Sequence, residues 1–215
     1  DCALPALTTQ LTEMEFWLPL APLSSSAVDA LCQHYLLPGQ ARPALPQRQL
    51  HGMAMGFADL VFAHGGRYWV LDYKTNTLGP DGSAYTPTTL AAAMLQHRYD
   101  VQAALYTLAL HRLLRQRLGA AYRPEDHLGG ALYLFMRGLD GTWMQHLPIP
   151  SALLDALEAL ITAPAEACAW STTTPTPSIC SPPKTAPCPC ATNCTPGKPR
   201  ACCARWTSPG CHLST

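Results

Sequence analysis

The sequence contains no run of about 18 or more uncharged apolar residues, which excludes an α-helical membrane span. It opens on "DCALPALTTQLTEMEF", with no initiating Met, no basic start and no apolar stretch, so no signal peptide is read there. The opening reads as the interior of a longer, cytoplasmic chain. Charge is scarce too: Lys, Arg, Asp and Glu together make up 13% of the residues, and the formal net charge is zero. The balance is uneven, with 10 Lys and Arg against 13 Asp and Glu in residues 1–165 but 4 against 1 in residues 166–215. The first 165 residues therefore lack the basic footprint of a free-standing nucleic-acid binder, and a local groove or a partner must supply any attraction to DNA. Cysteine is nearly missing from the same stretch, where Cys2 and Cys32 stand alone, so no disulfide framework holds it.

The other eight cysteines fall after residue 165, among nine prolines and few large apolar side chains. Their spacing in "CPCATNC" and the adjacent pair Cys202–Cys203 is not the paired C-x2-C of a zinc ribbon. Residues 166–215 read either as a disordered low-complexity tail or as the product of a frameshift near Ala163 to Trp170. The Pro, Thr, Cys, Ala and Arg bias is that of GC-rich coding sequence translated out of frame. The domain proper is expected to span residues 1–165.

What is present in that span is an alternation of strands and helices. "EMEFWLPL", residues 13–20, reads as a strand ended by Pro19, and "SSSAVDALCQHYLL" as a serine-capped helix. "LHGMAMGFADLVFAH" and "RYWVLDYKT" read as a hairpin joined by the three residues "HGG". The longest helical pattern runs from Thr88 or Thr89 to about Leu118, with a break possible at "QHRYD". "GGALYLFMRG" is apolar on both faces and reads as a central strand, "TWMQHLPI" as its neighbour, and residues 150–161 as an amphipathic helix. The order β-α-β-β-α-β-β-α defines an α/β domain.

The hairpin carries charges that a half-buried strand does not tolerate without a partner, because burying one costs several kcal/mol. Asp72 and Lys74 are two apart and project to one face, with Tyr73 on the other. Asp59 lies across the hairpin from Asp72. Two facing carboxylates repel unless a cation sits between them, and hard oxygen ligands suit Mg²⁺. A lysine beside such an ion can orient a water and balance phosphate charge. A surface hairpin with an Asp–Lys ion pair accounts for the spacing as well.

The pattern G-F-x-D-L-V-F, then L-D-Y-K-[ST]-N, then Q-x-x-x-Y on a helix resembles the RecB-type branch of the PD-(D/E)xK nuclease superfamily. The resemblance covers about residues 10–162. It implies a restriction-endonuclease-like core, a central mixed β-sheet flanked by helices, and Mg²⁺-dependent hydrolysis of DNA with one or two ions. Carried over, Asp59 and Asp72 are the metal-binding acids, the Tyr73 carbonyl a main-chain ligand and Lys74 the catalytic lysine. The acid of the first strand matches Glu13, with Glu15 as the other choice, since alternation puts both on one face. Gln102 and Tyr106 match Q-x-x-x-Y, to contact substrate phosphate or brace the site; an ordinary helix-surface contact explains their i,i+4 spacing equally. A metal-binding histidine of the family precedes Glu13, ahead of where this sequence starts. Among the histidines present, His51 is the one to keep in view. Arg98, Arg112, Arg115, Arg117 and Arg123 either line a single-strand path or form a solvated helix end. The implied role is that of the nuclease domain of a RecBCD-type helicase–nuclease acting on single-stranded DNA in double-strand-break repair and recombination. RecC-like and RecD-like subunits and a recombinase are the implied partners. The alternative is a catalytically impaired module that docks on those partners.

Overall fold

Alternating apolar and polar residues build β1 (Gln10–Ser24), and β2 (Gln49–His64) runs antiparallel beside it, pairing Met14 with Ala58 and Leu18 with Ala54. The structure, a computed structural model, describes residues 7–138 and 143–163. The expectations for residues 166–215 lie outside the described residues. β1 runs past the predicted stop at Pro19 because, among the described residues, it has a neighbour on one side only, where a proline can sit without breaking a ladder. Its register slips between Leu20 and Leu23.

β2 returns as β3 (Arg67–Lys74) through Gly65 and Gly66 alone, since His64 already pairs with Arg67. The connector is thus two residues and not three. Both glycines have positive φ, 61° and 76°, the geometry a two-residue hairpin needs and residues with a Cβ resist. Helix α1 (Ser25–Tyr35) lies between β1 and β2, and its N-terminus is capped by the Ser24 hydroxyl accepting from the Ala27 amide.

After β3 the predicted long helix is two helices, α2 (Pro87–Gln96) and α3 (Tyr99–Leu118). A capping box between Thr86 and Thr89 starts α2. The break lies at Arg98, held left-handed at φ 55° and ψ 36°. A short α4 (Pro124–His127) leads into β4 (Leu128–Phe135), followed by β5 (Met144–Leu147) and α5 (Ser151–Thr162). The sheet order is β1-β2-β3-β4-β5, with β3 and β4 parallel and the other pairs antiparallel. Parallel neighbours require a crossover, which α2 and α3 supply. β4 is paired on both sides, as expected of a central strand, and β3 is the middle one of the five.

The main core lies between one sheet face and helices α1, α2, α3 and α5, with Leu90, Leu108, Leu153, Leu154 and Leu157 fully buried. Each such leucine contributes about 1.5–3 kcal/mol of burial. A smaller cluster of Leu60, Phe62, Leu71 and Leu134 forms on the other face. Beyond it, Trp17, Met53, Met55 and Phe57 stay exposed, Trp17 pairing with Met55 across the β1–β2 ladder.

A buried ion network fixes the break between α2 and α3. Asp100 is fully buried and accepts from Arg42 Nη1 at 2.7 Å and from Arg98 Nε at 3.1 Å. Arg98 also donates to Asp29 on α1 at 2.6 Å and to the Pro43 carbonyl at 2.8 Å. Arg42 closes the loop after α1 by donating to the carbonyls of Leu36 and Leu37. Burial pushes the Asp29 carboxyl up, but hydrogen bonds from Arg98, Gln33 and the Leu45 amide outweigh it and hold the group below its ordinary value.

Asp100→Ala leaves the buried Arg42 guanidinium without a carboxylate and takes one of two from Arg98, and is expected to cost about 3–5 kcal/mol in urea denaturation. Arg115→Ala, whose side chain is 55% exposed in its pair with Glu158, is expected to cost less than about 1 kcal/mol. Because the Asp29 carboxyl is depressed, its contribution is complete above the unfolded value of about 3.9 and is lost as pH falls through the lower folded value. Urea midpoints measured from pH 6 down should fall less steeply at the acid end in Asp29→Asn than in the wild type.

Candidate active site

Strand alternation on β3 decides which side chains reach the helix layer. Val70 belongs to the main core and Leu71 to the outer cluster, so Asp72 and Lys74 face the helices and Tyr73, 40% exposed, faces away. Lys74 Nζ lies 2.5 Å from Asp72 Oδ2, with both side chains largely buried. Asp59 follows the pairing of Leu60 with Leu71 and so stands level with Asp72, and its Oδ2 accepts from the Tyr73 amide at 2.8 Å.

Helix α3 brings the other half of the site. Gln102 Oε1 accepts from Lys74 Nζ at 3.0 Å, and its Nε2 donates to Asp72 Oδ1 at 3.2 Å and to Tyr106 Oη at 2.8 Å. The i,i+4 pair read from sequence is thus turned onto the two charged residues of β3, and Gln102 bridges acid and base with one amide. Tyr106 packs edge-on against Phe16, with ring centroids 5.3 Å apart. Gly56 permits this, since a Cβ there would run into the Phe16 ring.

Burial pushes the Asp72 carboxyl up; Lys74 pulls it back and the Asp59 charge pushes it further up, leaving a net rise. The Tyr106 phenol is also raised, first by burial and then by Asp72 and Asp59, with Gln102 opposing. Burial is the main cause of both shifts, and an excess of negative charge between β2, β3 and α3 adds to each. Asp59, Asp72 and the carbonyls of the strand are hard oxygen donors, and a divalent cation among them would relieve that excess, so the donor set fits such an ion. Among the described residues no three His, Cys, Asp or Glu side chains gather to hold a metal, so the protein side chains offered are two carboxylates.

Glu13 sits between Thr12, paired with Leu60, and Met14, paired with Ala58, and is therefore level with Asp59. Its φ is 50°, an unusual conformation for a non-glycine residue and one that costs about 1–3 kcal/mol. Here the alternation breaks: Ala58 lies in the main core and Leu60 in the outer cluster, although they are two apart. Simple alternation therefore does not make Glu13 and Glu15 equivalent. Glu15 pairs with Phe57 and accepts from Trp17 Nε1 at 2.9 Å.

Other expected residues fall elsewhere. His51 is exposed and lies eight residues from Asp59 along β2, about 26 Å at strand rise. Arg98 is committed to Asp29 and Asp100, Arg112 and Arg115 to Glu158, and Arg123 to the carbonyls of Ala120 and Tyr122. These four are structural ties and not an open path for a strand. The structure also adds residues that the sequence reading passed over. Tyr99 and Tyr133 place their rings 4.0 and 5.3 Å from Lys74 Nζ. Tyr133 Oη donates to the Tyr99 carbonyl at 3.1 Å and reaches Gln102 Oε1 at 3.4 Å. Asn76, the last residue of the L-D-Y-K-[ST]-N motif, accepts from Tyr99 Oη and contacts His97. The asparagine in that motif was the available signal.

A family model for the PD-(D/E)XK nuclease superfamily matches residues 39–195, a span that holds Asp59, Asp72, Lys74, Gln102 and Tyr106 and begins after Glu13. The RecBCD enzyme subunit RecB of Escherichia coli K12 is 54% identical over 129 residues, covering 60% of this chain and 11% of that protein. RecB of Haemophilus influenzae is 43% identical over 108 residues, covering 50% of this chain and 9% of that protein. RecB of Mycobacterium tuberculosis is 47% identical over 98 residues, covering 45% of this chain and 9% of that protein. The chain spans about a tenth of the length of these curated relatives. With its mixed five-stranded sheet, flanking helices and acid–lysine pair on the central strand, the chain belongs to the PD-(D/E)XK nuclease superfamily.

Proposed function

We propose that this chain is the nuclease domain of a RecBCD-type helicase–nuclease, cleaving phosphodiester bonds of single-stranded DNA drawn from unwound duplex during double-strand-break repair and recombination. The observation that carries this reading is the Asp72–Lys74 pair, bridged by Gln102 and faced by Asp59, inside a span matching a nuclease family. Mg²⁺, as one or two ions, is the cation assigned, because the donors are hard oxygens. Asp59 and Asp72 would hold it together with the Tyr73 carbonyl. When bound, the ion would supply Lewis-acid stabilisation of charge on the phosphate oxygens. Lys74 would orient the attacking water, and Glu13, level with Asp59, would help place it. Gln102 keeps Lys74 and Asp72 in register, and Tyr106 fixes the far side of that amide. RecC-like and RecD-like subunits would deliver the strand, and a recombinase would act next to it. Delivery matters because residues 1–165 carry more acids than bases, so their long-range field does little to gather DNA.

A second reading, a non-catalytic module that docks on helicase subunits or a recombinase, draws on the exposed strip of Trp17, Met53, Met55 and Phe57, each about half exposed.

Mg²⁺ should raise the melting temperature of the wild type by mass action, and Asp72→Ala should remove that rise. Equal stabilisation of both proteins would overturn the ion assignment. In a cleavage assay on single-stranded oligonucleotides the isolated chain should cut slowly with Mg²⁺, and Lys74→Ala should not cut. Fusion to a separate single-strand-binding module should raise the rate by increasing local substrate concentration. A fused protein that binds Mg²⁺ and DNA yet stays inactive would leave the docking reading in possession.

A further inference from the structure

We propose that Tyr99 is a positioning residue whose ring holds the Lys74 ammonium where Asp72 and Gln102 receive it. This rests on the nuclease reading above, in that it assigns Lys74 a task that depends on where its nitrogen sits. A lysine ammonium rides on a flexible four-carbon stem, so a fixed position has to be imposed from outside. Four groups surround the ammonium here, the most distant being the Tyr133 ring at 5.3 Å. Two are the oxygens of Asp72 and Gln102, at 2.5 and 3.0 Å. The third is the Tyr99 ring, whose centroid lies 4.0 Å from Nζ, within the range in which an aromatic face attracts a cation.

The ring is itself held on every side. It lies nearly parallel to the rings of Tyr133 and His97, at interplanar angles of 13° and 21°. Its hydroxyl donates to Asn76 Oδ1 at 3.1 Å, and its carbonyl accepts from Tyr133 Oη at 3.1 Å. Asn76 lies two residues past Lys74, so the Tyr99 side chain touches both the ammonium at the end of β3 and the Asn76 side chain just beyond it. Tyr99 is also the first residue of α3, directly after the left-handed Arg98. The ion pairs of Arg98 with Asp29 and Asp100 therefore set where this ring starts. Gln102 lies three residues on, on the same side of the helix, so one turn of α3 delivers both the polar and the aromatic partner of the lysine. Substitution at Tyr99 should release the nitrogen without removing its charge or its carboxylate.

The chain has three lysines, Lys74, Lys184 and Lys198, so labelling lysine at the ε-carbon gives few signals, and Lys74→Ala identifies the one of interest. In the wild type and in Tyr99→Phe, the Lys74 ε-methylene protons should be shifted upfield by the ring; in Tyr99→Leu most of that shift should vanish. Cleavage of a single-stranded oligonucleotide should follow: kcat should fall about tenfold in Tyr99→Leu, the order of one cation–π contact at a desolvated ammonium. KM should change little, and Tyr99→Phe should restore kcat to within about threefold of wild type. If Tyr99→Leu melts below the assay temperature, Tyr99→Met, which keeps bulk without a π face, takes its place. An unshifted Lys74 signal in the wild type, or a ring-free variant with wild-type kcat, overturns the proposal. Wild-type cleavage by Lys74→Ala would instead overturn the nuclease role of that lysine, and the proton shifts would still decide whether Tyr99 holds it.

Discussion

Asp100 has no exposed surface, and two guanidiniums converge on it. A carboxylate in that position is costly unless its partners are held tightly, and they are: Arg42 by the carbonyls of Leu36 and Leu37, Arg98 by Asp29 and the Pro43 carbonyl. The network joins α1, the loop after it and the junction of α2 with α3. It fixes the start of α3, and the first two turns of α3 carry Tyr99, Gln102 and Tyr106. Charges more than twenty residues from Lys74 in the chain thus determine what surrounds its ammonium. The same pairs account for an arginine adopting a backbone conformation that costs about 1–3 kcal/mol elsewhere.

Around Lys74 the physics is one of competing demands. Desolvation favours a neutral Asp72 and the adjacent ammonium favours a charged one, while Asp59 adds a second negative charge across the strand pair. Gln102 answers both, since one end of its amide accepts from the cation and the other donates to the anion. Two strands and one helix meet there because β3 and β4 are parallel. The crossover that parallel pairing demands lays α3 across the end of β3 where the charges lie.

Much of this was legible in the residues themselves. Period-two spacing puts Asp72 and Lys74 on one face, the hairpin sets Asp59 opposite Asp72, and helical spacing stacks Gln102 on Tyr106. Each of these depends on short-range geometry and survives folding unchanged. The remainder depended on partners distant in the chain. The sequence marks a break at "QHRYD", but its place at Arg98 follows from a contact with Asp29, 69 residues away. The length of β1 follows from its place at the sheet edge, which makes Pro19 harmless. At Glu13 the strand leaves its regular alternation, so an argument from period two could not tell it from Glu15. Tyr99 escaped notice because a lysine–ring contact has no fixed sequence spacing. His97, two residues before Tyr99, stacks on the Tyr99 ring and meets the Asn76 side chain that the loop after β3 brings there.

Among the described residues no strand pairs with the outer side of β1. An edge strand of 15 residues offers a ladder of unmatched amides and carbonyls on which a foreign strand could grow. In this chain Pro19 and Pro22 remove two of those amides, and the register slip between Leu20 and Leu23 bends the line at the same place. A polymerising strand would find uninterrupted pairing only over the stretch before Pro19. Copies crowded together would then meet through the side chains of Trp17, Met53, Met55 and Phe57, giving reversible, greasy contacts instead of the cross-β seeds that an unbroken edge invites.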